Sequence, residues 1–213
     1  MYIYEHMTPD PITISSDILL PEARQILNEY NFRHLPVIDE KNQIIGIITD
    51  RDLRSAYPSS VTCKSERMLI YSKVEKTKVA DIMTISCSTL RPEATIDDAL
   101  LIFDRDKVGC VPVVTDQGVV VGIFSMRDLT AAYRKLFGVD DKGSILLGIT
   151  DDGRKNIMSK LVMFLEENSI PVTRLMRLKQ GREGSIIYVR INTLKPNDVR
   201  KLLTKNGFTP YFP

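Results

Sequence analysis

The chain is 213 residues long, 43% apolar and 26% charged, a balance that excludes a disordered polymer and leaves room for two or three small cores. Its 29 basic and 27 acidic residues leave a formal charge of +2 with no run of five like charges, so nothing marks a nucleic-acid partner. No stretch reaches the roughly 18 uninterrupted apolar residues of a membrane helix, and Met1 to Asp10 lacks a basic start followed by an apolar run, so the expectation is a cytoplasmic protein with no membrane partner.

Along the chain, a short extended segment, Pro11 to Ile14, precedes a helix whose apolar stripe is Ala23, Ile26, Leu27 and Tyr30. Two buried strands follow, Leu35 to Ile38 and Ile44 to Ile48, joined by the polar turn Asp39-Glu40-Lys41-Asn42, and a closing helix starts near Arg51. Tyr57 to Lys78 reads as a connector with a charged helix over Lys64 to Val74, in which Met68, Leu69 and Tyr71 are available to pack back. The same series then recurs. Cys87 to Leu90 is extended, and a helix with Ala99, Ile102 and Phe103 opens on Thr95 and Asp98 at capping-box spacing. The strands Val111 to Val114 and Val119 to Phe124 are joined through Asp116-Gln117-Gly118, where glycine supplies a positive φ at little cost.

Sliding the chain by 76 residues lays Met7 to Ala56 over Met83 to Ala132 without a gap, with thirteen of fifty positions identical. The identities fall in blocks: Met-Thr at 7 and 83, Thr13 and Thr89, Pro-Val at 36 and 112, Gly-Ile at 46 and 122, and Arg-Asp-Leu at 51 and 127. The last strand of each copy ends in a glycine, a hydroxyl and a carboxylate at fixed spacing: Gly46, Thr49, Asp52 and Gly122, Ser125, Asp128. The glycine admits another backbone or a ligand. The helix N–H groups attract phosphate, Arg51 and Arg127 can face it, and the aspartates can accept from a ribose diol. Hydroxyl-x-x-acid is equally the way a helix caps itself, and a duplicated cap would repeat too.

The whole pattern resembles the CBS domain, a regulatory module that usually occurs as a tandem pair. The resemblance rests on Glu5-His6-Met7-Thr8 and Asp81-Ile82-Met83-Thr84, on Leu35-Pro36-Val37 and Val111-Pro112-Val113, and on the two glycine-hydroxyl-aspartate segments, over residues 4–135. It implies domains at 1–60 and 79–138, a connector at 61–78 and two clefts for an adenine nucleotide (AMP, ADP or ATP). By the resemblance, one cleft combines Ser125 and Asp128 with Thr13, Arg33, His34 and Pro36, and the other Thr49 and Asp52 with Thr89, Gly109, Cys110 and Pro112. Phe32-Arg33-His34 is bulky and basic where Val108-Gly109-Cys110 is small, so the first cleft should prefer more phosphate and the second should be weaker, different in ligand or empty.

After Gly138 a new unit begins. Strands over Ser144 to Thr150, Val172 to Leu178, Glu183 to Ile191 and Phe208 to Phe212, with helices over Arg154 to Asn168 and Pro196 to Asn206, give βαββαβ, the ferredoxin-like order. Residues 144–213 resemble an ACT domain, and a CBS pair followed by such a unit resembles the acetoin-utilisation B family, making the fold class α+β. The resemblance maps an amino-acid-binding glycine onto Gly153, but no side-chain set here selects an amino acid. The expected role of the unit is to pair two chains as a homodimer through a sheet edge.

Chemistry is scarce. Cys63, Cys87 and Cys110 lack metal or redox spacing, His6 and His34 are the only histidines, and no Walker-type loop, HExxH or GxSxG segment occurs. The expectation is therefore a non-enzymatic regulator with no catalytic cofactor and no metal, passing a nucleotide signal to the C-terminal unit or a downstream protein target. The alternatives are an S-adenosylmethionine or NAD sensor, or an amino-acid-responsive regulator with the CBS pair as scaffold.

Overall fold

The computed structural model describes residues 1–179 and 184–211. The chain divides into two compact units, Met1–Ala132 and Tyr133–Pro213.

In the first unit the elements are β1 (Thr8–Pro9), β2 (Ile14–Ser15), α1 (Leu20–Glu29), β3 (His34–Ile38), β4 (Ile44–Thr49), α2 (Asp50–Ala56), α3 (Lys64–Val74), β5 (Thr84–Ile85), α4 (Ile96–Asp106), β6 (Cys110–Val114), β7 (Val120–Ser125) and α5 (Met126–Leu136), which runs on past the boundary. The duplication extends to backbone conformation. Three pairs of left-handed residues recur at the 76-residue offset: Asp10 and Ser86, Asn31 and Lys107, Asn42 and Gly118. Gly118 stands at φ 80°, and its counterpart Asn42 at 60° is of the residue type that tolerates that region best after glycine.

The two copies exchange their leading segments. The sheets run β2-β3-β4-β5 and β1-β7-β6, so each Met-Thr strand pairs with the other copy's last strand, Thr8 opposite Ile123 and Thr84 opposite Ile47. The turns ahead of it cross as well: Ile3 N–H donates to Ala94 O at 2.8 Å, and Val79 N–H to Ile18 O at 2.9 Å. Between the copies the two hairpin turns bond reciprocally, Ile44 N–H to Gly118 O at 3.0 Å and Val120 N–H to Asn42 O at 3.2 Å. These exchanges give Gly46 and Gly122 their role. A Cβ on Gly46 would lie 2.7 Å from Thr84 O and 3.0 Å from Met83 Sδ, and one on Gly122 would strike Met7 Sδ. The close approach that the glycines permit is therefore to the other copy's Met-Thr strand.

The expected leading strands are shorter than Pro11 to Ile14 and Cys87 to Leu90. Only Ile14 and Ser15 join β3, opposite Val37 and Ile38, and in the second copy a single bridge joins Leu90 to Val113. Proline explains it. Leu90 N–H donates to Pro112 O at 3.0 Å, so the nitrogen of Pro112 faces the same neighbour but carries no hydrogen, and the parallel ladder stops there. In the connector, α3 occupies the expected residues; Met68 and Leu69 are exposed, Tyr71 packs edge-on to Tyr57 with ring centroids 6.0 Å apart, and Val74 and Ile70 make the core contact.

In the second unit, β8 (Ser144–Asp151), α6 (Ile157–Glu167), β9 (Val172–Lys179), β10 (Ser185–Asn192), α7 (Pro196–Lys205) and β11 (Pro210–Tyr211) follow the expected βαββαβ order. The antiparallel sheet runs β11-β8-β10-β9. Glu183 and Phe212, the expected outer ends of two strands, lie outside the described residues. Leu161, Leu165 and Leu203 of the helices are buried against Ile149, Ile187 and Ile191. Helix α6 starts at Ile157, three residues later than expected. Asp151 and Asp152 fold the chain into successive Asx turns onto Gly153 and Arg154, and Asn156 is left-handed at φ 60°.

Candidate functional site

Within each copy the repeated hydroxyl and carboxylate meet at the start of a helix. Thr49 N–H and Thr49 Oγ1 both donate to Asp52 Oδ2, at 2.8 and 2.7 Å, and Asp52 N–H donates back to Thr49 Oγ1 at 3.2 Å. Ser125 and Asp128 repeat this at 2.8, 2.7 and 3.4 Å. Both motifs are thus capping boxes. Thr95 and Asp98, at the head of α4, make the same three bonds at 2.8, 2.7 and 3.2 Å, so the geometry alone does not single out a ligand site. What differs is the setting. Thr49, Asp52, Ser125 and Asp128 are half-buried at the end of a sheet, whereas Asp98, the acid of the third box, is exposed. In each of the two, the bonds converge on Oδ2.

The first-turn amides are largely engaged already. Asp50 N–H donates to Arg33 O and Met126 N–H to Gly109 O, both at 3.0 Å, while Asp52 and Asp128 turn theirs onto the capping hydroxyls. The free amides expected there reduce to those of Arg51 and Arg127.

Within each sheet the register sets which of the expected site residues are neighbours. His34 lies opposite Thr49 and Cys110 opposite Ser125. Thr13 precedes Ile14, which pairs beside Pro36 and Val37, and Thr89 precedes Leu90 in the same relation to Pro112 and Val113. Thr13, Arg33, His34, Pro36, Thr49, Arg51 and Asp52 therefore gather at the end of one sheet, and Thr89, Gly109, Cys110, Pro112, Ser125, Arg127 and Asp128 at the end of the other. A hairpin joins the strand before each capping box to that box, and strand pairing keeps the two in one copy. Because the proline stops the ladder, the backbone at 11–13 and 87–89 stays outside it, at the rim of each cluster.

The clusters differ in charge and burial. Arg33 and Arg51 are exposed and His34 is half-buried. Burial holds the His34 imidazole below its ordinary range, the Arg33 guanidinium pushes the same way, and Asp52 and Asp50 partly oppose them. Asp50 is itself held down by its bidentate bond from Arg54. In the second cluster Cys110 is 6% exposed, and burial, seconded by Asp128, pushes its thiol up to about 12. Gly109 is exposed and adds no charge.

Gly153 sits at φ 79° with open space where a Cβ would be. Beside it, Asp151 is buried and ion-paired with Arg177 across the sheet, a pair that sequence reasoning missed. The acid at the end of β8 and the base on β9 are 26 positions apart, and only the sheet order brings them together.

A sequence profile of the CBS domain matches residues 3–59 and 79–135. An inosine-5'-monophosphate dehydrogenase of Aquifex aeolicus is 32% identical over 124 residues, 58% of this chain and only 22% of that enzyme. Among solved structures, the CBS domain pair of protein MJ0100 in complex with 5'-methylthioadenosine and S-adenosyl-L-methionine is similar at 28% identity and a TM-score of 0.52, over 62% of this chain and 99% of that one. The CBSX2 protein in complex with AMP is similar at 25% identity and 0.54, over 63% and 97%. A Vibrio cholerae protein described as the acetoin utilization protein AcuB shares the fold at 23% identity and 0.54, over 66% and 96%. The chain belongs to the CBS-domain family.

Proposed function

We propose that this member of the CBS-domain family is a non-catalytic regulator that binds an adenosine-containing ligand at the end of each sheet. The observation that carries the reading is the duplicated cluster itself: a half-buried aspartate held by its capping box beside a hydroxyl, with a proline-interrupted strand leaving backbone groups at the rim. The solved CBS pairs with AMP, or with 5'-methylthioadenosine and S-adenosyl-L-methionine, support the adenosine class. In this reading Asp52 and Asp128 accept from the ribose, and the base lies beside Pro36 or Pro112.

The two ends take different 5' groups. Arg33 and His34 favour phosphate at the first, so AMP, ADP or ATP belongs there. Gly109 and Cys110 bring no cation to the second, which suits an uncharged or sulfonium-bearing 5' group. The C-terminal unit acts as an ACT-type module that pairs two chains through the open edge of β9, and its element order after a CBS pair supports an acetoin-utilisation affiliation. A ligand at the pair then biases one of two states that the C-terminal unit or a partner protein reads.

Calorimetry with AMP, ATP, S-adenosylmethionine and 5'-methylthioadenosine tests it. Saturable binding without turnover is expected, with phosphate esters and sulfur nucleosides occupying separate sites. No binding by any of the four, together with stabilisation by an amino acid, would transfer the sensing role to the C-terminal unit.

A further inference from the structure

Among the described residues one titratable side chain stands inside a candidate ligand cluster in a charge setting that a bound phosphate would reverse. His34 faces Thr49 across the β3–β4 pair. The charged groups acting on it are Arg33, the residue just ahead of its strand, and Asp50 and Asp52 from α2. Asp50 is paired with Arg54, and Asp52, hydrogen-bonded to the Thr49 amide and hydroxyl, keeps its charge and opposes Arg33, so burial and Arg33 together outweigh the carboxylates at the imidazole.

We infer that His34 takes up a proton when a phosphate-bearing ligand occupies the first cluster, so that binding there is coupled to pH and selects the phosphorylated over the unphosphorylated nucleoside. The inference rests on the nucleotide reading above. Without ligand, burial and Arg33 keep the imidazole neutral at pH 7, because each disfavours its cation. A phosphate dianion between Arg33 and His34 cancels the first repulsion and adds an attraction, and both effects raise the imidazole's affinity for a proton. A neutral ligand such as 5'-methylthioadenosine does neither. In the second copy the residue at this place is Cys110, whose thiol, pushed up to about 12, has no proton to gain near neutrality. One end of the pair therefore responds to pH and the other does not.

The chain has only two histidines, so the imidazole resonances of the full-length protein can be assigned with a single His6→Gln variant. Titrating those resonances by NMR with and without saturating AMP should move the His34 midpoint upward by at least one pH unit, which is about a tenfold gain in proton affinity. Calorimetry of AMP at pH 7.4 in buffers of different ionisation enthalpy should show net proton uptake in the native chain. His34→Gln should remove that uptake while leaving AMP binding measurable, and uptake surviving the substitution would assign the proton to the ligand's own phosphate and overturn the inference. A His34 midpoint unmoved by bound AMP would overturn it as well. If AMP does not bind at all, the nucleotide reading fails and takes this inference with it; binding without His34-linked uptake sinks the inference alone.

Discussion

Three capping boxes in this chain have nearly the same bonds and different surroundings, which allows the cap to be separated from the ligand. Asp52→Ala, Asp128→Ala and Asp98→Ala each remove the carboxylate that accepts from an N-cap amide at 2.8 Å and an N-cap hydroxyl at 2.7 Å. The hydroxyl can still accept from the amide at the third helical position, so each variant loses about one net hydrogen bond and part of a cap. That is roughly 0.5–2 kcal/mol of stability, with exposed Asp98 at the low end. For a chain of this size the expected drop in Tm is about 2–4 °C per kcal/mol. Ligand binding should divide the three. Losing a charged acceptor for the ribose costs about 1.5–3 kcal/mol, a tenfold to hundredfold weakening, at the end where the aspartate was removed. Asp52→Ala should weaken AMP, Asp128→Ala should weaken 5'-methylthioadenosine, and Asp98→Ala should change neither. Urea melts with parallel calorimetry read both quantities. Should the three variants lose stability alike and keep native affinity for both ligands, the aspartates are caps and nothing more.

Gly46→Ala forces a Cβ against the backbone carbonyl of Thr84 at 2.7 Å, so a net loss of about 1–3 kcal/mol is expected, whereas Gly122→Ala meets only the flexible Met7 side chain and should lose less and recover when combined with Met7→Ala. Equal losses in chemical denaturation would contradict the distinction between a backbone obstacle at Gly46 and a side-chain one at Gly122. Alkylation by iodoacetamide should begin at exposed Cys63, whose thiol is pulled down by hydrogen bonds from Ser65 and the Glu66 amide, and end at Cys110, held at about 12; peptide mass spectrometry over time reads the order. Arg177→Ala leaves the Asp151 carboxylate buried without its cation and should cost about 2–3 kcal/mol, less than a fully buried pair because the arginine is half exposed; the double variant with Asp151→Asn should recover most of it.

Much of this architecture is legible in the chain itself, because a gapless duplication tells each element twice. The helix at Lys64–Val74, the central strands and the Thr95 box follow from local periodicity and capping chemistry. What local pattern cannot carry is partner choice. Nothing in Met7-Thr8 or Met83-Thr84 says that its strand pairs with the other copy, and the glycines that permit it read equally well as room for a ligand. Hairpin register is of the same kind: it follows from a turn of fixed length and sets His34 against Thr49 and Cys110 against Ser125, neighbours that the resemblance does not group together.

Each hydroxyl and aspartate adjoins the pre-proline residue of its own copy, so a ligand bound as proposed would meet those groups together at one sheet end, and the two ends belong to different copies. Coupling between them then has to pass through what the copies share: the exchanged Met-Thr strands and the reciprocal bonds between Ile44 and Gly118 and between Val120 and Asn42. Strand β4 ends at the Thr49 box and pairs with β5 of the second copy two residues earlier, at Ile47, and β7 has the mirror relation to β1 through Ile123. In the proposed reading, a shift of either box on binding would be passed to a strand contributed by the opposite copy, a physical route by which a ligand at one end would alter the affinity of the other.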